Sequence, residues 1–533
     1  MKNLGTKTRA WFKDTKDAWI TLFITNLAGV IIYWPLITQI LPNPDSIWNG
    51  LYQKMSDYWE IALSRFGLSW IDSLRSFKLY PTIDTLLAIF LVSLTILVIG
   101  KLLKLSGWKL WLGGLVIMLT PCFMDSLTYY YCSDAYALSF FFASLAAYYW
   151  SHSEKKLNYL WGCLFLVGSL SIYQAYFFVT ITLLLFNAIR ELEENKEIKP
   201  LIKKYLLILL MIIIAALIYL GLAKIVQMVA NVKAYTGNGF SSLSELDLTS
   251  VLKAIPKAYK SFGYYYFSDY YLRNSYYGRW IINTMIFLIG IIYLFMIGIK
   301  LKKDKVHLFL WLLAIGLIPL AIFGVCVVAF ANTIVVGPTG ILMVPGVSLI
   351  YLFFLSKVSL KKTKMILVTK ILMIVSLSAL IINFSLFANL FQNVQARSKK
   401  LYLEEVTLVE NYLNEHYTDL HGRKILIIGT IDTSIGLDKE TVKNISWTVA
   451  RYGLIWNIQD GQVNGWHNLF ENFTNFDYQK CSLNDYVSFL RSATYKNMTR
   501  IFPDEGSVIE WNGMIVVNLG FHFAPGYQNC FNR

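Results

Sequence analysis

Acidic side chains stand next to long apolar runs in two segments of this sequence. Asp45 follows Pro44 in "NPDSIWNG", and Asp125 and Asp134 flank three consecutive tyrosines in "PCFMDSLTYYYCSDAYALS". A carboxylate close to hydrocarbon loses solvation, which raises its proton affinity toward the value that a general base needs near neutral pH. The three aspartates are therefore candidates for proton transfer. Asp45 also has an ordinary structural explanation, because an aspartate that precedes a helix commonly caps its N-terminus.

Basic residues close a later polar segment, "YKSFGYYYFSDYYLRNSYYGRW", which contains Lys260, Arg273 and Arg279. A guanidinium donates paired, charge-assisted hydrogen bonds to a phosphate. One interpretation is that these residues clamp the phosphate of a lipid-linked ligand. The alternative is that their long side chains reach lipid headgroups.

The composition is typical of a polytopic membrane protein. Of the 533 residues, 56% are hydrophobic and 15% are charged, and the mean hydropathy is +0.50. A soluble chain of this length needs far more polar surface. The net charge of +15 resides in short loops between apolar runs, so it indicates membrane topology and argues against nucleic-acid binding.

Eleven apolar runs approach the length needed to cross a bilayer. They predict a mainly α-helical membrane domain over residues 1–395. The runs are Ala18–Leu41, Ile83–Leu102, Leu110–Met124, Ala135–Trp150, Tyr159–Ser171, Tyr176–Ala188, Tyr205–Val226, Ile281–Ile299, Leu308–Ala331, Gly340–Leu355 and Met365–Leu390.

The basic residues also predict an orientation. Lysines and arginines precede the first run and recur in alternate loops such as "RELEENKEIKPLIKK" and "KLKKDK". With eleven spans, the positive-inside rule places the N-terminus in the cytoplasm and the C-terminus outside. The first run lacks a small-residue cleavage site, so we expect it to be retained as an anchor.

Two long loops and the C-terminal region then face outward. In the loop 42–82, apolar residues from Ile47 to Phe66 recur every three or four positions, which predicts one amphipathic helix on the membrane surface with Asp57 and Glu60 on its polar face. The second loop is 227–278. Residues 396–533 predict an α/β domain with a helix over 398–415, a strand in "KILIIGT" and a hairpin turning at "NG" in "VIEWNGMIVVNLG".

The cysteines do not suggest a metal site. No Cys-x-x-Cys motif or histidine cluster occurs. Cys122 with Cys132 and Cys481 with Cys530 face an oxidising space in this topology, and whether either pair forms a disulfide stays open.

Four segments, in this order, carry a family resemblance: "NPDSIWNG", "SRFGLSWIDSLR", "YYYCSDAYALS" and "GSLSIYQAYF". Together they resemble the bacterial GtrII-type glucosyltransferases, which are membrane enzymes of GT-C-like fold. The second segment departs from the "GRW" or "GRP" form typical of these enzymes, because "SRFG" keeps Arg65 and loses the glycine.

The resemblance implies a multi-pass enzyme of the bacterial cell membrane that transfers one sugar from a polyprenyl-phosphate carrier, such as undecaprenyl phosphate, to a cell-envelope polysaccharide. The sugar would be glucose or a related hexose or N-acetylhexosamine, and direct attack would invert the anomeric carbon. No cofactor is implied beyond this donor, and a divalent metal requirement stays open. Further partners would be membrane lipids and the proteins that make and flip the donor.

The resemblance and the residue types together give a set of candidate site residues. Asp45 and Asp134 are the catalytic candidates. The candidates for binding phosphate or sugar are Arg65, Asp57, Glu60, Asp125, Tyr131, Tyr173, Gln174, Lys260, Arg273 and Arg279.

Two other function classes fit part of the sequence. A transporter or flippase for a lipid-linked sugar also needs a lipid groove and outward arginines, but it is expected to carry charged or broken-helix sites near the middle of the membrane, where the predicted spans hold few ionisable residues. A non-enzymatic envelope sensor leaves unexplained why acidic and basic residues gather in loops far from the C-terminal region.

Overall fold

The structure is a computed structural model that describes most of the chain. The described ranges are 2–54, 57–152, 155–194, 196–235, 248–268, 278–331, 344–358, 364–445, 449–456, 459–474 and 476–520.

Helices form nearly the whole of the N-terminal part. Long apolar segments adopt this structure because a helix satisfies its own backbone polar groups in lipid, and prolines begin several of the helices. The helices are α1 (Lys2–Ile32), α2 (Trp34–Gln39), α3 (Pro44–Asn49), α4 (Tyr58–Ala62), α5 (Phe66–Leu74), α6 (Pro81–Leu102), α7 (Trp108–Met118), α8 (Pro121–Leu127), α9 (Ser133–Ser151), α10 (Lys156–Ile172), α11 (Phe177–Glu193), α12 (Ile198–Val229), α13 (Leu248–Phe267), α14 (Arg279–Leu301), α15 (Lys305–Gly316), α16 (Ile318–Ala331), α17 (Leu349–Lys357) and α18 (Lys364–His416).

Each predicted span falls at least partly on a helix, but length and hydropathy support fewer crossings than eleven. Seven helical segments in the described ranges are long and apolar enough to cross a membrane, and the bent pair α7 and α8 gives an eighth. The pair bends by 49° at Pro121, which cannot supply a backbone N–H to a continuing helix. The segments Lys156–Ile172 and Pro345–Lys357 are apolar but shorter.

The loop between α2 and α6 does not form the single amphipathic helix that the sequence predicts. It folds into the three short helices α3, α4 and α5. Positive backbone φ angles at Gly50 and Ser64 separate them, because a helix cannot continue through the left-handed region. A backbone bridge pairs Gln53 with Lys78, so the loop closes on itself as a compact unit.

A single helix connects the membrane part to the C-terminal region. This helix, α18, continues through the predicted domain boundary at residues 395 and 396. A four-stranded sheet follows, in the order β2-β1-β4-β3, with β1 parallel to β2 and β4. The elements are β1 (Lys424–Ile428), α19 (Lys439–Ile445), α20 (Gln459–Phe473), β2 (Gln479–Lys480), α21 (Leu483–Leu490), α22 (Ala493–Asn497), β3 (Val508–Trp511) and β4 (Met514–Asn518).

The sheet separates two apolar layers. Alternate β1 residues face opposite sides, with Ile425 and Ile427 in one core and Leu426 and Ile428 in the other. The predicted hairpin is confirmed, because β3 and β4 pair antiparallel and the turn places Asn512 and Gly513 at positive φ, as a type I′ turn requires.

The C-terminal domain packs directly onto the loop 42–82. Ile47 of α3 is fully buried in the core that also contains Trp466 and Leu469. The Asn468 side-chain amide of α20 donates hydrogen bonds to the carbonyl oxygens of Ile47 at 2.9 Å and Trp48 at 3.0 Å. Helix α3 is thus shared between the membrane part and the C-terminal domain.

A close contact at Gly67 fixes the position of α5. A Cβ atom at Gly67 would lie 2.2 Å from Ser171 Oγ and 3.0 Å from the Ser171 backbone carbon of α10. We expect Gly67→Ala to lower the stability of the protein by about 1–3 kcal/mol, the usual cost of overpacking. Gly221→Ala is the matched control, because Gly221 of α12 has open space around its Cβ position. Equal melting temperatures for the two variants in detergent would contradict this packing.

Candidate active site

The first turn of α3 is held against the segment between α8 and α9. Asn43 caps α3, since its side-chain oxygen accepts the Ser46 backbone N–H at 2.8 Å. Ser46 Oγ donates to the Thr128 carbonyl at 2.8 Å and accepts the Tyr130 backbone N–H at 3.0 Å. The alternative that Asp45 is the N-cap is therefore wrong, and its carboxylate is left for other contacts.

The Asp45 carboxylate is half-buried and bound by the C-terminal domain. Its Oδ1 accepts a hydrogen bond of 2.8 Å from the indole Nε1 of Trp456. Burial raises the pKa of Asp45 from 3.8 to about 6, while the Trp456 hydrogen bond and the Arg65 charge lower it and the Glu60 charge raises it further. A carboxylate with this pKa is ionised at neutral pH yet basic enough to accept a proton from a hydroxyl group as a reaction proceeds.

Arg65 precedes α5 and rests on an aromatic surface. Its guanidinium lies 4.6 Å from the centre of the Tyr173 ring. It donates long hydrogen bonds of 3.4 Å to Gln174 Oε1 and to the Tyr136 hydroxyl. Gln174 is itself fixed, because its amide donates to the Leu63 carbonyl at 2.7 Å. Arg65 makes no ion pair with a carboxylate in the described ranges, so its charge is available to an anion.

A buried ion-pair network lies beside Asp45. Two cations bridge four carboxylates contributed by the loop 42–82 and by the first turns of α6 and α9. Lys54 contacts Glu60 at 3.1 Å and also Asp72. Arg75 contacts Asp72 at 2.9 Å, Asp84 at 3.4 Å and Asp134 at 3.2 Å.

Burial gives this network its importance. The side chains of Lys54 and Asp72 are fully buried, and that of Asp134 is 9% exposed. Burying a charge is costly unless it is paired, and breaking one such pair typically costs about 3–5 kcal/mol. The network therefore fixes the fold of the loop, and Asp134 serves in it as a partner of Arg75.

The tyrosines of "YYYCSDAY" line the region between the network and Arg65. Tyr136 stacks on Tyr173 with ring centres 4.5 Å apart, and Tyr129 packs beside both Tyr131 and Tyr136. Lys54 Nζ lies 5.6 Å from the Tyr131 ring centre. The rings therefore form one buried aromatic cluster between the two cations Lys54 and Arg65.

Two predicted carboxylates occupy neighbouring positions. Asp57 accepts a hydrogen bond of 2.5 Å from Ser69 Oγ. Asp125 of α8 is completely buried and lies within electrostatic range of Tyr129 and Tyr173. Asp125 therefore lies near the tyrosines that surround Arg65, whereas Asp57 is bound within the loop 42–82.

Arg279 forms a second cationic position at the start of α14. Its side chain is only 2% exposed and lies 5.2 Å from the Tyr265 ring centre. Nη2 donates to the Tyr265 carbonyl at 3.4 Å, while Nε and Nη1 have no hydrogen-bond partner among the described residues. Arg279 therefore forms a buried cationic position of its own, lined by Tyr265.

The other predicted cations are not brought to this region. Lys260 is exposed on α13, with its Nζ 5.3 Å from the Tyr264 ring centre. Arg273 lies outside the described residues.

The sequence left open whether two cysteine pairs form disulfides, and the structure answers this question for one of them. Cys122 and Cys132 are buried and are not joined by a disulfide. Cys481 is a buried thiol, and Cys530 lies outside the described residues.

Sequence reasoning did not find several residues of the site, namely Lys54, Asp72, Arg75, Asp84, Tyr136 and Trp456. Asp84 carried a usable signal, since it is an ionisable residue just inside the predicted span Ile83–Leu102. Lys54 and Arg75 gave no such signal, because an isolated loop cation is usually solvated. In the described ranges no three Asp, Glu, His or Cys side chains are arranged to hold a metal ion.

Comparison with known proteins gives one finding. The model of the family described as Glucosyl transferase GtrII matches residues 35–349. This range covers more than half of the 533 residues and includes α3, the ion-pair network, Arg65 and Arg279. No curated protein and no solved structure gives a significant match.

The raised pKa of Asp45 predicts how stability depends on pH. The native state holds the Asp45 proton more tightly than the unfolded chain, so stability falls as pH rises from about 4 to about 6 and stays reduced above that range. We expect Asp45→Asn to melt at the same temperature as wild type or higher at pH 7.5, with a smaller difference at pH 4.5. Asp504→Asn, at an exposed position of the C-terminal domain, is the control. A lower melting temperature for Asp45→Asn at pH 7.5 would contradict the cost assigned to ionising Asp45.

Proposed function

The chain belongs to the Glucosyl transferase GtrII family, and from this premise we propose that it transfers one sugar from a polyprenyl-phosphate carrier to a cell-envelope polysaccharide at the outer face of the membrane. Membership confirms the resemblance found in the sequence and supports a membrane glycosyltransferase. The lipid-linked donor, the acceptor and the inverting course are parts of the proposal. The observation that carries it is a carboxylate of raised pKa, Asp45, within electrostatic range of Arg65, a cation that forms no ion pair with a carboxylate in the described ranges.

The proposed reaction uses Asp45 as the general base. The Asp45 carboxylate accepts the proton of an acceptor hydroxyl group as that oxygen forms a bond to the anomeric carbon. The bond between the anomeric carbon and the phosphate oxygen breaks, and its electron pair leaves with the polyprenyl phosphate. Because the hydroxyl attacks opposite the leaving group, the configuration of the anomeric carbon inverts.

The cations are proposed to stabilise the phosphate as its negative charge increases. Arg65 interacts with the Asp45 carboxylate electrostatically, so a phosphate bound at Arg65 would also lie within electrostatic range of the base. Arg279 offers unsatisfied N–H groups in a buried position, where an electrostatic contact is worth more than in water. Tyr136 and Tyr173 supply stacked rings next to Arg65 for the transferred sugar.

The location of the buried charges favours transfer over transport of the lipid-linked sugar. Asp84, Asp134 and Arg279 lie in the first turns of α6, α9 and α14. A transporter is expected to place such groups near the middle of the membrane, at broken helices. Asp84 and Asp134 are joined to the folded loop 42–82 through Arg75, which suits a fixed site at the ends of the helices.

Replacing the proposed base tests the reaction directly. We expect Asp45→Asn to lower sugar transfer from a polyprenyl-phosphate glucose donor to envelope polysaccharide by about 100-fold or more, the usual range for loss of a general base. The measurement is product formation in membranes that contain equal amounts of each variant. Asp504→Asn is expected to retain wild-type activity. We expect Asp134→Asn to reduce transfer less, because it weakens the contact with Arg75 and leaves Asp45 in place.

Full activity of Asp45→Asn would exclude Asp45 as the general base.

A transporter would give a different result in the same membranes. Movement of the donor across sealed vesicles without an acceptor, and unaffected by Asp45→Asn, would favour a flippase over the proposed transferase.

Arg279 gives a test that separates binding from folding. Replacing a buried, unpaired cation by an apolar side chain of similar volume is usually neutral or stabilising. We therefore expect Arg279→Met to keep or raise the melting temperature while it raises the KM for the lipid-linked donor at least about tenfold, the loss expected from one charge-assisted hydrogen bond to phosphate. The KM for the acceptor is expected to stay within about twofold, since Arg279 is assigned no acceptor contact. Unchanged donor KM would remove Arg279 from the proposed site.

A further inference from the structure

We propose that the C-terminal domain is part of the catalytic site and that Trp456 is a positioning residue for Asp45. This inference rests on the proposed function, because it assumes that Asp45 is the base. Trp456 and its neighbours lie beyond residue 349, where the family match ends. The inference therefore concerns a part of the chain that family membership does not explain.

The contact between Trp456 and Asp45 is short and comes from a well-anchored side chain. The indole Nε1 donates to Asp45 Oδ1 at 2.8 Å. The Trp456 ring packs on Tyr452, with ring centres 4.6 Å apart. The two preceding residues, Leu454 and Ile455, are completely buried in the core of the C-terminal domain, so the domain determines where the indole N–H points.

A second contact holds the backbone that carries Asp45. Asn468 donates to the carbonyl oxygens of Ile47 and Trp48, and Ile47 inserts into the same core as Leu454 and Ile455. The C-terminal domain therefore binds α3 at two points, which are the Asp45 carboxylate and the last residues of the helix. A change in either contact would move the base relative to Arg65.

The chemistry of the indole suits a positioning role. An indole N–H is an uncharged donor and cannot take the proton from the acceptor. With Oδ1 held by Trp456, the acceptor hydroxyl meets the other oxygen, Oδ2. The hydrogen bond also stabilises the ionised form of Asp45, which is the form that acts as a base.

Other groups around Asp45 must be considered in any pH experiment. The charged and titratable side chains that interact with it in the described ranges are Arg65, Glu60, Tyr129 and Tyr131. Arg65 favours the ionised carboxylate and Glu60 opposes it. Removing the indole N–H leaves these four groups in place, so a change in the proton affinity of Asp45 can be assigned to Trp456.

The test compares Trp456→Phe with wild type in the full-length protein. Loss of one hydrogen bond to a charged group is expected to move the acid limb of the kcat/KM profile up by roughly one pH unit, starting from a pKa of about 6. Activity relative to wild type is then expected to be about fivefold lower at pH 6 than at pH 8.5, and any loss that remains at pH 8.5 reflects displacement of the ionised carboxylate. A purely structural role would instead lower the profile by the same factor at each pH.

Three further variants complete the design. Trp466→Phe removes another buried indole hydrogen bond of the same domain, to the Gly429 carbonyl at 3.0 Å, and is expected to leave the acid limb unshifted. Trp456→Gln restores a side-chain donor and is expected to bring the limb back toward its wild-type position. Trp456→Leu is a second donor-free variant for use if Trp456→Phe does not accumulate in membranes.

The outcomes separate this inference from the proposed function. An active wild type with an unshifted acid limb in both donor-free variants would overturn the role of Trp456 and leave the transferase intact. An equal shift in Trp466→Phe would also overturn it. A wild type that transfers no sugar from any polyprenyl-phosphate donor would instead contradict the proposed function itself.

Discussion

The fold of the site depends on two buried cations that hold four carboxylates together. Lys54 and Arg75 lie where the loop 42–82 meets the first turns of α6 and α9. Without them, the carboxylates would repel one another in a region of low dielectric, and the desolvation of each would be uncompensated. With them, the polar loop packs against apolar helices and still satisfies its charges. The positions of Arg65 and Asp45 follow from this arrangement, because both belong to the same loop.

The cations of the region fall into two groups, those that form ion pairs with carboxylates and those that do not. Lys54 and Arg75 are saturated by carboxylates, so they stabilise the protein and have little charge left for a ligand. Arg65 and Arg279 instead lie on tyrosine rings and keep their positive charge without an acidic partner in the described ranges. A protein that leaves a buried arginine such as Arg279 without an acidic partner sacrifices stability, and under the proposed function the binding of an anionic substrate offsets this loss.

The sequence predicted the elements of this site better than their arrangement. Apolar runs located the helices, and ordered motifs led to Asp45, Arg65, Tyr173 and Gln174, of which the last two contact Arg65. The loop 42–82 was misjudged because apolar spacing alone does not show the breaks at Gly50 and Ser64. Trp456 could not be found from local patterns, since it meets Asp45 across 411 residues. The number of membrane crossings also depends on tertiary packing, because short helices can be buried among longer ones.

The continuity of α18 links the site to the lipid environment. Its 53 residues form a rod of about 80 Å, at 1.5 Å per residue, of which a bilayer core accommodates about 30 Å. The remainder carries the C-terminal domain, and Ile47 of α3 is buried in the core of that domain. A helix adjusts its tilt when membrane thickness changes. A change in the tilt of α18 would therefore carry α3 along with the C-terminal domain, and the contact between the Trp456 indole and the Asp45 carboxylate would be kept.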